Sequence, residues 1–125
     1  MIKVSMGIIQ NDEQKILIAK RPVSKSFGGL WEFPGGKIEH EETPEDALAR
    51  ELLEELNIDI EILDSLPSYE FSNGELEIEF YPFLCRQVGS GFRANEHTEV
   101  RYTDKENLHA FTFAPPDYKV LEYLR

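Results

Sequence analysis

Apolar and polar residues follow one another with different spacings along the chain, and each spacing predicts an element. Apolar residues alternate with other residues over positions 2–8, a polar turn follows at 11–14, and residues 15–19 are again mostly apolar. Alternation of this kind is typical of half-buried strands. The first 21 residues therefore predict a β-hairpin, and the Ser- and Gly-rich residues 23–30 predict a loop after it.

The second half of the chain predicts two more strands and a terminal helix. Residues 59–71 predict a strand, and residues 75–86 predict its hairpin partner beyond an Asn-Gly turn. Residues 88–97 predict an irregular loop, which leads to a short strand from Tyr102. Apolar residues at helical spacing predict a last helix over 118–125.

Residues 36–58 contain the clearest helix signal of the chain. Thr43 is a good N-cap, Pro44 suits the first helical position, and the helix is expected to end at about Leu56. At 100° per residue, one arc of this helix is apolar and should be buried. That arc consists of Leu48, Ala49, Leu52, Leu53 and Leu56, whereas the other arc carries Ala47, Arg50, Glu51, Glu54 and Glu55.

The acidic arc has two interpretations. Most charged helix faces are simply solvated. However, eight acidic residues between positions 37 and 55 stand against Lys37 and Arg50, and Glu51 and Glu55 are four residues apart, where like charges repel. A divalent cation would relieve that repulsion, because clustered carboxylates suit Mg²⁺ or Mn²⁺. From the residues alone, both interpretations stay open.

Length, charge and cysteine content narrow the class of protein. A chain of 125 residues with 41% apolar and 30% charged residues fits one globular domain over 1–125. A net charge of −11 disfavours nucleic-acid polymers as partners. The one cysteine, Cys85, excludes an internal disulfide and is expected in the core. With no signal peptide and no long apolar span, we expect a cytoplasmic protein without membrane contact.

The spacing of residues 36–58 resembles the Nudix motif G-x5-E-x7-R-E-U-x-E-E-x-G-U, in which U is a bulky aliphatic residue. Gly36, Glu42, Arg50-Glu51-Leu52, Glu54-Glu55 and Ile58 fill eight of its nine constrained positions. Asn57 replaces the last glycine, and asparagine is the next best residue for the left-handed conformation that ends a helix. The preceding Leu-Trp-Glu-Phe-Pro-Gly-Gly run resembles MutT-like and CTP-pyrophosphohydrolase-like members of the family.

The resemblance implies a set of metal and catalytic residues. An acid in the late loop, six residues before an aromatic residue, serves as metal ligand and candidate base in similar sequences, and Glu96 takes that place, with Glu99 as a rival. Glu51 and Glu96 are both candidate general bases. Arg50 should anchor a glutamate by a bidentate pair, and Glu42 either joins that anchor or binds an outer ion. The implied metal ligands are the Gly35 carbonyl and Glu51, Glu54, Glu55 and Glu96, and the implied catalytic residues are Arg50, Glu51, Glu54 and Glu96.

Substrate contacts are implied for four further residues, each with an alternative. Arg21 would contact phosphate or base, or is simply an exposed strand end, and Lys37 would lie near the phosphates. Asp117 follows an Ala-Pro-Pro run and would read the base, although it also suits a helix cap. Tyr69 could flank the base or pack in the core, as could Phe71. Plain core positions are favoured for Phe33, and a loop histidine rather than a base is favoured for His97. Glu32 is either exposed or helps to hold its loop.

The resemblance implies a fold and an activity. The fold would be an α/β/α sandwich around a mixed sheet, and the activity Mg²⁺-dependent (or Mn²⁺-dependent) hydrolysis of a nucleoside triphosphate to the monophosphate and pyrophosphate. An oxidised purine such as 8-oxo-dGTP and a cytidine nucleotide compete as substrates. The alternatives are an ADP-ribose or nucleotide-sugar pyrophosphatase and a non-catalytic nucleotide-binding module. The protein would be a monomer or a homodimer.

Overall fold

A mixed eight-stranded sheet forms the centre of the computed structural model, which describes residues 1–124. The strands are β1 (Ile2–Gln10), β2 (Ile16–Lys20), β3 (Trp31–Glu32), β4 (Gly35–Lys37), β5 (Asp59–Ser65), β6 (Tyr69–Ser72), β7 (Glu77–Val88) and β8 (Glu99–Thr103). The order β3-β2-β1-β7-β5 runs across the sheet, with β4 beside β1, β6 beside β7 and β8 beside β2. Strands β1 and β7 are parallel, and the other pairs are antiparallel.

Two helices cover opposite faces of this sheet. Helix α1 (Pro44–Leu56) packs on the face that presents Ile9 and Leu17, and α2 (Tyr118–Tyr123) packs by its buried Val120 on the face that presents Ile8. Because β1 and β2 are covered from both sides, their alternation gives way to continuous burial at their centres. The predicted α/β/α sandwich around a mixed sheet is confirmed.

The bounds predicted for α1 are confirmed, and so are its caps. The Thr43 hydroxyl accepts a hydrogen bond of 3.1 Å from the Asp46 amide, and Asn57 adopts the left-handed conformation with φ 55° and ψ 42°. The buried face differs from the predicted arc, because it includes Ala47 while Ala49 and Leu53 are exposed. The sheet therefore lies against the row that also contains Glu51 and Glu55.

Several strand boundaries differ from the prediction. The single strand predicted over 59–71 is divided into β5 and β6, because Pro67 cannot donate to the ladder and lies between them. Strands β1 and β2 pair at Gln10 and Ile16 beside their turn, and β4 pairs with the first half of β1. The last helix ends at Tyr123, and Arg125, which the prediction included, lies outside the described residues.

Cys85 occupies the core, as predicted. Its side chain is fully buried in β7, and burial raises the pKa of its thiol to about 12. No helix within residues 1–124 combines the length and the apolar character that crossing a membrane requires.

Candidate active site

A cleft of about 760 Å³ runs from the acidic face of α1 to the segment that precedes α2. Nine of the predicted site residues line it: Arg21, Gly35, Lys37, Arg50, Glu51, Glu54, Glu55, Glu96 and Asp117. The structure therefore brings together residues from one long helix, one strand, two loops and the C-terminal segment. Their positions define an acidic end of the cleft beside α1 and a far end beside Asp117.

Close approach of the backbone to α1 explains the two glycines of β4. A Cβ atom on Gly36 would lie 2.2 Å from the side-chain Cδ of Glu51, and one on Gly35 would lie 2.0 Å from the Ser5 carbonyl oxygen. The family resemblance implied a metal ligand at the Gly35 carbonyl and placed Gly36 at the first position of the motif. In the structure, the missing side chain of Gly35 leaves room for strand β1, and that of Gly36 leaves room for the Glu51 carboxylate. Glu51 is therefore packed directly against β4.

Arg50 connects the acidic residues to one another. Its Nε and Nη2 donate to the two oxygens of Glu42 at 2.7 and 2.9 Å, which confirms the predicted bidentate pair. Its Nη1 donates to Glu51 at 2.9 Å and to Glu54 at 3.3 Å, and Nη2 also reaches the Lys37 carbonyl at 3.1 Å. One guanidinium thus fixes three carboxylates and the end of β4.

Glu42 belongs to this anchor rather than to an outer ion site. Besides the pair with Arg50, its Oε1 accepts a 2.9 Å hydrogen bond from the Glu39 amide. The Arg50 hydrogen bonds and then this amide lower the pKa of Glu42 to about 2. Glu42 therefore remains ionised and holds the guanidinium in place.

Glu55 is the buried member of the cluster. Burial, and then its hydrogen bond and repulsion with Glu51, raise the pKa of Glu55 to about 9, with further contributions from Glu32 and Glu96. Among the described residues, its Oε2 is one of two buried side-chain polar atoms without a hydrogen-bond partner. A carboxylate crowded by others and left with an unused buried oxygen is a strong candidate to bind a cation.

The donor set fits a hard divalent cation. Within residues 1–124, no group of three or more His, Cys, Asp or Glu side chains already stands in a ligand arrangement. Carboxylate oxygens nevertheless converge here, and they are the ligands that Mg²⁺ prefers. The unused Oε2 of Glu55 gives such an ion a first contact. Glu54, whose side chain is 61% exposed, would offer it a solvent-accessible carboxylate.

The loop that carries Glu96 is attached to the end of α1. Asn95 donates from its backbone to the Glu55 carbonyl at 3.0 Å and from its side chain to the Glu54 carbonyl at 2.7 Å. The Arg93 amide donates to the Leu56 carbonyl at 2.8 Å. These contacts satisfy carbonyls that a helix end leaves without partners. The sequence did not reveal this role of Asn95, because the loop lies about 40 residues beyond the helix.

Glu99, the rival of Glu96, lies elsewhere. Strand β8 begins at Glu99, earlier than predicted, and the Glu99 carboxylate accepts a hydrogen bond from Arg101. Glu96 lies in the loop, lines the cleft, and contributes to the raised pKa of Glu55. The geometry therefore favours Glu96 over Glu99 as the loop acid that faces the cluster.

Asp117 occupies the far end of the cleft as a buried carboxyl group. Its Oδ2 accepts a 2.7 Å hydrogen bond from the Phe33 amide, and its side chain does not cap α2. Burial, and then the negative charge of Glu32, raise the pKa of Asp117 well above its ordinary value, although the Phe33 amide and Arg21 oppose the shift. The alternative of a helix cap is wrong, because the carboxyl group turns inward to the Phe33 amide.

Aromatic side chains form the core beneath this end. Phe33 stacks on Phe113 with centroids 5.1 Å apart, and Tyr69 stacks on Phe80 at the same distance. The Tyr69 hydroxyl donates to the Pro116 carbonyl at 2.9 Å, and Tyr69 is not among the residues that line the cleft. The substrate contact predicted for Tyr69 is thus replaced by a supporting position behind Phe80 and Pro116.

Glu32 and His97 complete the site in a way that the sequence did not show. Arg21 Nη1 lies 2.7 Å from one Glu32 oxygen, and His97 Nε2 lies 2.8 Å from the other. Glu32 thus helps to hold its loop, which was one of its two interpretations, and His97 lies in a loop, as favoured, with its side chain buried against Glu32. Separations of 11 and 65 residues leave no local pattern from which these pairs could be predicted.

The comparisons with known proteins agree with this geometry. A model of the NUDIX domain matches residues 5–123. The CTP pyrophosphohydrolase of Escherichia coli K12 is 34% identical over 122 residues, which cover 98% of this chain and 90% of that protein. The 8-oxo-dGTP diphosphatase of the same strain is 37% identical over 124 residues, covering 99% and 96%. The solution structure of the E. coli ORF135 protein superposes with a TM-score of 0.84 at 34% identity, covering 98% and 86%.

Proposed function

Because this chain belongs to the NUDIX domain family, we propose that it hydrolyses a nucleoside triphosphate to the monophosphate and pyrophosphate with a divalent cation, Mg²⁺ or Mn²⁺. The observation that carries the proposal is the arrangement of one cleft, with a carboxylate cluster at one end and a buried carboxyl group at the other. Phosphates would lie at the acidic end, and the base would lie beside Asp117.

The side chains of Glu51, Glu54, Glu55 and Glu96, with the Gly35 carbonyl, would hold the cation. When bound, a divalent ion neutralises phosphate charge and lowers the pKa of a coordinated water. Arg50 keeps Glu51 and Glu54 in fixed positions through its Nη1, and Glu42 keeps Arg50 in place. The cluster is thereby ordered before the substrate arrives, which reduces the reorganisation that the reaction needs.

Two carboxylates can accept the proton of the attacking water. Glu51 is packed against β4 and bonded to Arg50, whereas Glu96 is exposed at the cleft. Replacing each of them by glutamine distinguishes the two, because loss of the base removes the acidic limb of the pH–rate profile while loss of a ligand alone lowers its plateau. Arg21 and Lys37, which also line the cleft, would orient the phosphates.

Asp117 would select the base. Its raised pKa favours the protonated form, which offers a donor as well as an acceptor. The Watson–Crick edge of cytosine presents an N4 donor next to the N3 acceptor and matches that pair, and 8-oxoguanine presents an N7 donor next to the O6 acceptor, so cytidine nucleotides and 8-oxo-dGTP are both candidate substrates. The relatives include proteins named for each of these substrates.

A pyrophosphate-release screen in Mg²⁺ tests the proposal. The panel comprises the common nucleoside triphosphates, 8-oxo-dGTP, 5-methyl-dCTP and ADP-ribose, each measured with and without EDTA. We expect release from at least one triphosphate and none in EDTA. Turnover of ADP-ribose alone would replace the triphosphate by a dinucleotide-type substrate, and nucleotide binding without turnover would contradict the enzymatic proposal.

A further inference from the structure

Three polar side chains form a continuous line along the cleft wall. Arg21 Nη1 contacts Glu32 Oε1 at 2.7 Å, and Glu32 Oε2 contacts His97 Nε2 at 2.8 Å. Both oxygens of Glu32 are thus used, one by each neighbour. The His97 side chain is 4% exposed, and all three residues line the cleft.

The sheet topology places these residues together. Strand β2 lies between β3 and β8, and Ala19 and Lys20 pair with Glu32 and Glu99 on its two sides. Arg21 directly follows β2, Glu32 ends β3, and His97 comes just before β8. The three side chains therefore lie beside the ends of three neighbouring strands, at the edge of the sheet that borders the cleft.

Arg21 has few other ways to keep its orientation. Its Nε donates to the Ser26 carbonyl at 2.6 Å, within the Ser- and Gly-rich loop, while Nη1 is directed by Glu32. A guanidinium on a flexible side chain loses conformational entropy when a ligand fixes it. If a rigid partner already holds the guanidinium in the free protein, less entropy is lost when the nucleotide binds. Glu32 can act as that partner because the buried His97 holds its second oxygen.

The same line reaches both ends of the cleft. His97 follows Glu96, which faces the acidic cluster, and Glu32 precedes Phe33, whose amide binds Asp117. We propose that His97 is a positioning residue, which acts through Glu32 to hold Arg21 in the orientation that binds the nucleotide. This inference rests on the proposed function, because it assigns Arg21 to the nucleotide.

The donor of the His97–Glu32 bond can be retained or removed without changing the size of the side chain greatly. A carboxylate accepts hydrogen bonds, so the Nε2–H of His97 is assigned as the donor. In His97→Gln, the side-chain amide nitrogen can occupy the place of Nε2, whereas His97→Leu has no donor and His97→Asn is too short to reach. The three variants therefore separate the hydrogen bond from the filling of the space.

The kinetic test measures KM and kcat of each variant for CTP and 8-oxo-dGTP. Hydrogen bonds to charged groups correspond to about 10-fold to 100-fold in binding, so we expect KM to rise by that factor in His97→Leu and His97→Asn, with kcat changed much less. In His97→Gln, KM should return to within about threefold of the wild type. His109→Leu, at an exposed histidine away from the cleft, is the matched control and should change neither constant.

A second measurement does not require turnover. In the nucleotide-free protein, the ¹⁵N-detected Nη1–H resonance of Arg21, whose hydrogen Glu32 accepts, should exchange slowly with water, and exchange should accelerate in His97→Leu but not in His97→Gln. The thermal unfolding midpoint of each variant reports whether it is folded. If His97→Leu does not fold, the shorter amide of His97→Asn carries the test.

The possible outcomes separate the two proposals. If the wild type hydrolyses a triphosphate and a folded His97→Asn or His97→Leu keeps its KM, the positioning role is wrong and the proposed function stands. A fall of kcat by about 10-fold to 100-fold with an unchanged KM would also contradict the positioning role of His97. If the wild type hydrolyses no triphosphate, the proposed function fails, and unchanged CTP and 8-oxo-dGTP affinities of these variants in calorimetry would then overturn the inference.

Discussion

The two ends of the cleft are both built on carboxyl groups, but the groups are held in opposite ways. At the acidic end, Glu42, Glu51 and Glu54 share the guanidinium of Arg50, which holds the pKa of Glu42 down at about 2. At the far end, Asp117 is buried, accepts the Phe33 amide, and has a pKa raised well above its ordinary value. The Glu42 carboxyl group is thus kept as an anion at one end, whereas the Asp117 carboxyl group is shifted towards its neutral form at the other.

This difference separates reactivity from selectivity. Phosphate chemistry needs concentrated negative ligands for a cation, and repulsion among them is tolerable because the ion and Arg50 offset it. Base recognition needs a donor and an acceptor with fixed geometry in a dry environment, and in the proposed function the buried Asp117 would supply them. Substitutions at the acidic end should therefore reduce turnover for every substrate, and those at the far end should change the ranking of substrates.

The largest effect is expected at Glu54. Glu54→Gln removes a candidate cation ligand at the acidic end and should lower kcat by about 10³-fold for all triphosphates. Because the side chain is 61% exposed, the unfolding midpoint should stay close to that of the wild type. Steady-state pyrophosphate release and calorimetric unfolding measure the two quantities.

Glu45→Gln is the matched control for this substitution. Glu45 is exposed in the first turn of the same helix and does not line the cleft, so its loss should leave kcat unchanged. If Glu54→Gln keeps near-full activity, the assignment of the acidic end to the reaction is wrong. If kcat of Glu54→Gln fell for triphosphates of one base only, the acidic end would also affect selectivity, which would contradict the distinction between the two ends.

The acidic end could be predicted from the sequence because it is local. Glu51, Glu54 and Glu55 lie on one helix whose caps, Thr43 and Asn57, are visible in the residues themselves. The Arg50–Glu42 pair followed from the same 23-residue stretch. The periodicity did not predict that Ala47 is buried and Leu53 exposed. Both depend on how the sheet is placed against α1, and the helix sequence alone does not determine that placement.

The far end could not be derived from local pattern. The Phe33–Asp117 hydrogen bond joins residues 84 positions apart, and Asp117 entered the prediction through a family resemblance. Tyr69 was assigned to the substrate because aromatic residues suit bases, but stacking on Phe80 fills its ring face in the folded chain. Pairing across strands decides such contacts, and a single sequence does not contain that information.

An intermediate effect is expected at Arg50. Arg50→Lys keeps the charge but loses the planar fork that binds both oxygens of Glu42. Residues that orient metal ligands typically contribute about 10-fold to 100-fold, so kcat should fall by that factor, again for every base. The concentration of Mg²⁺ needed for half-maximal activity should rise as well.

Arg86→Lys provides the control for a general arginine effect. Arg86 pairs with Glu61 on the exposed side of the sheet, so that substitution should change neither kcat nor the Mg²⁺ requirement. Wild-type behaviour of Arg50→Lys would show that the carboxylates are ordered without the fork. The acidic end would then resemble the far end, where a single hydrogen bond from Phe33 fixes the carboxyl group.

The smallest effect on turnover, and the sharpest on selectivity, is expected for Asp117→Asn. The amide oxygen can still accept from the Phe33 amide, so the fold should be kept. With its oxygen bonded to the Phe33 amide, the Asn side chain leaves only an NH2 donor for the base, whereas the protonated carboxyl group can also accept, so the ratio of kcat/KM for CTP to that for 8-oxo-dGTP should change by about 10-fold to 100-fold. An unchanged ratio would remove Asp117 from base recognition.

The same variant isolates the pH dependence that burial gives Asp117. A carboxyl group whose pKa is higher in the folded state binds more protons there, so the free energy of unfolding falls as pH rises from the unfolded pKa of about 4 to the folded value. One such group contributes at most about 1.4 kcal/mol per pH unit. Asp117→Asn lacks this slope, so its unfolding midpoint should rise relative to the wild type as pH increases above about 4. A difference between the two proteins that stays constant with pH would mean that Asp117 is ionised in the folded chain, and the two ends of the cleft would then hold their carboxylates in the same charge state.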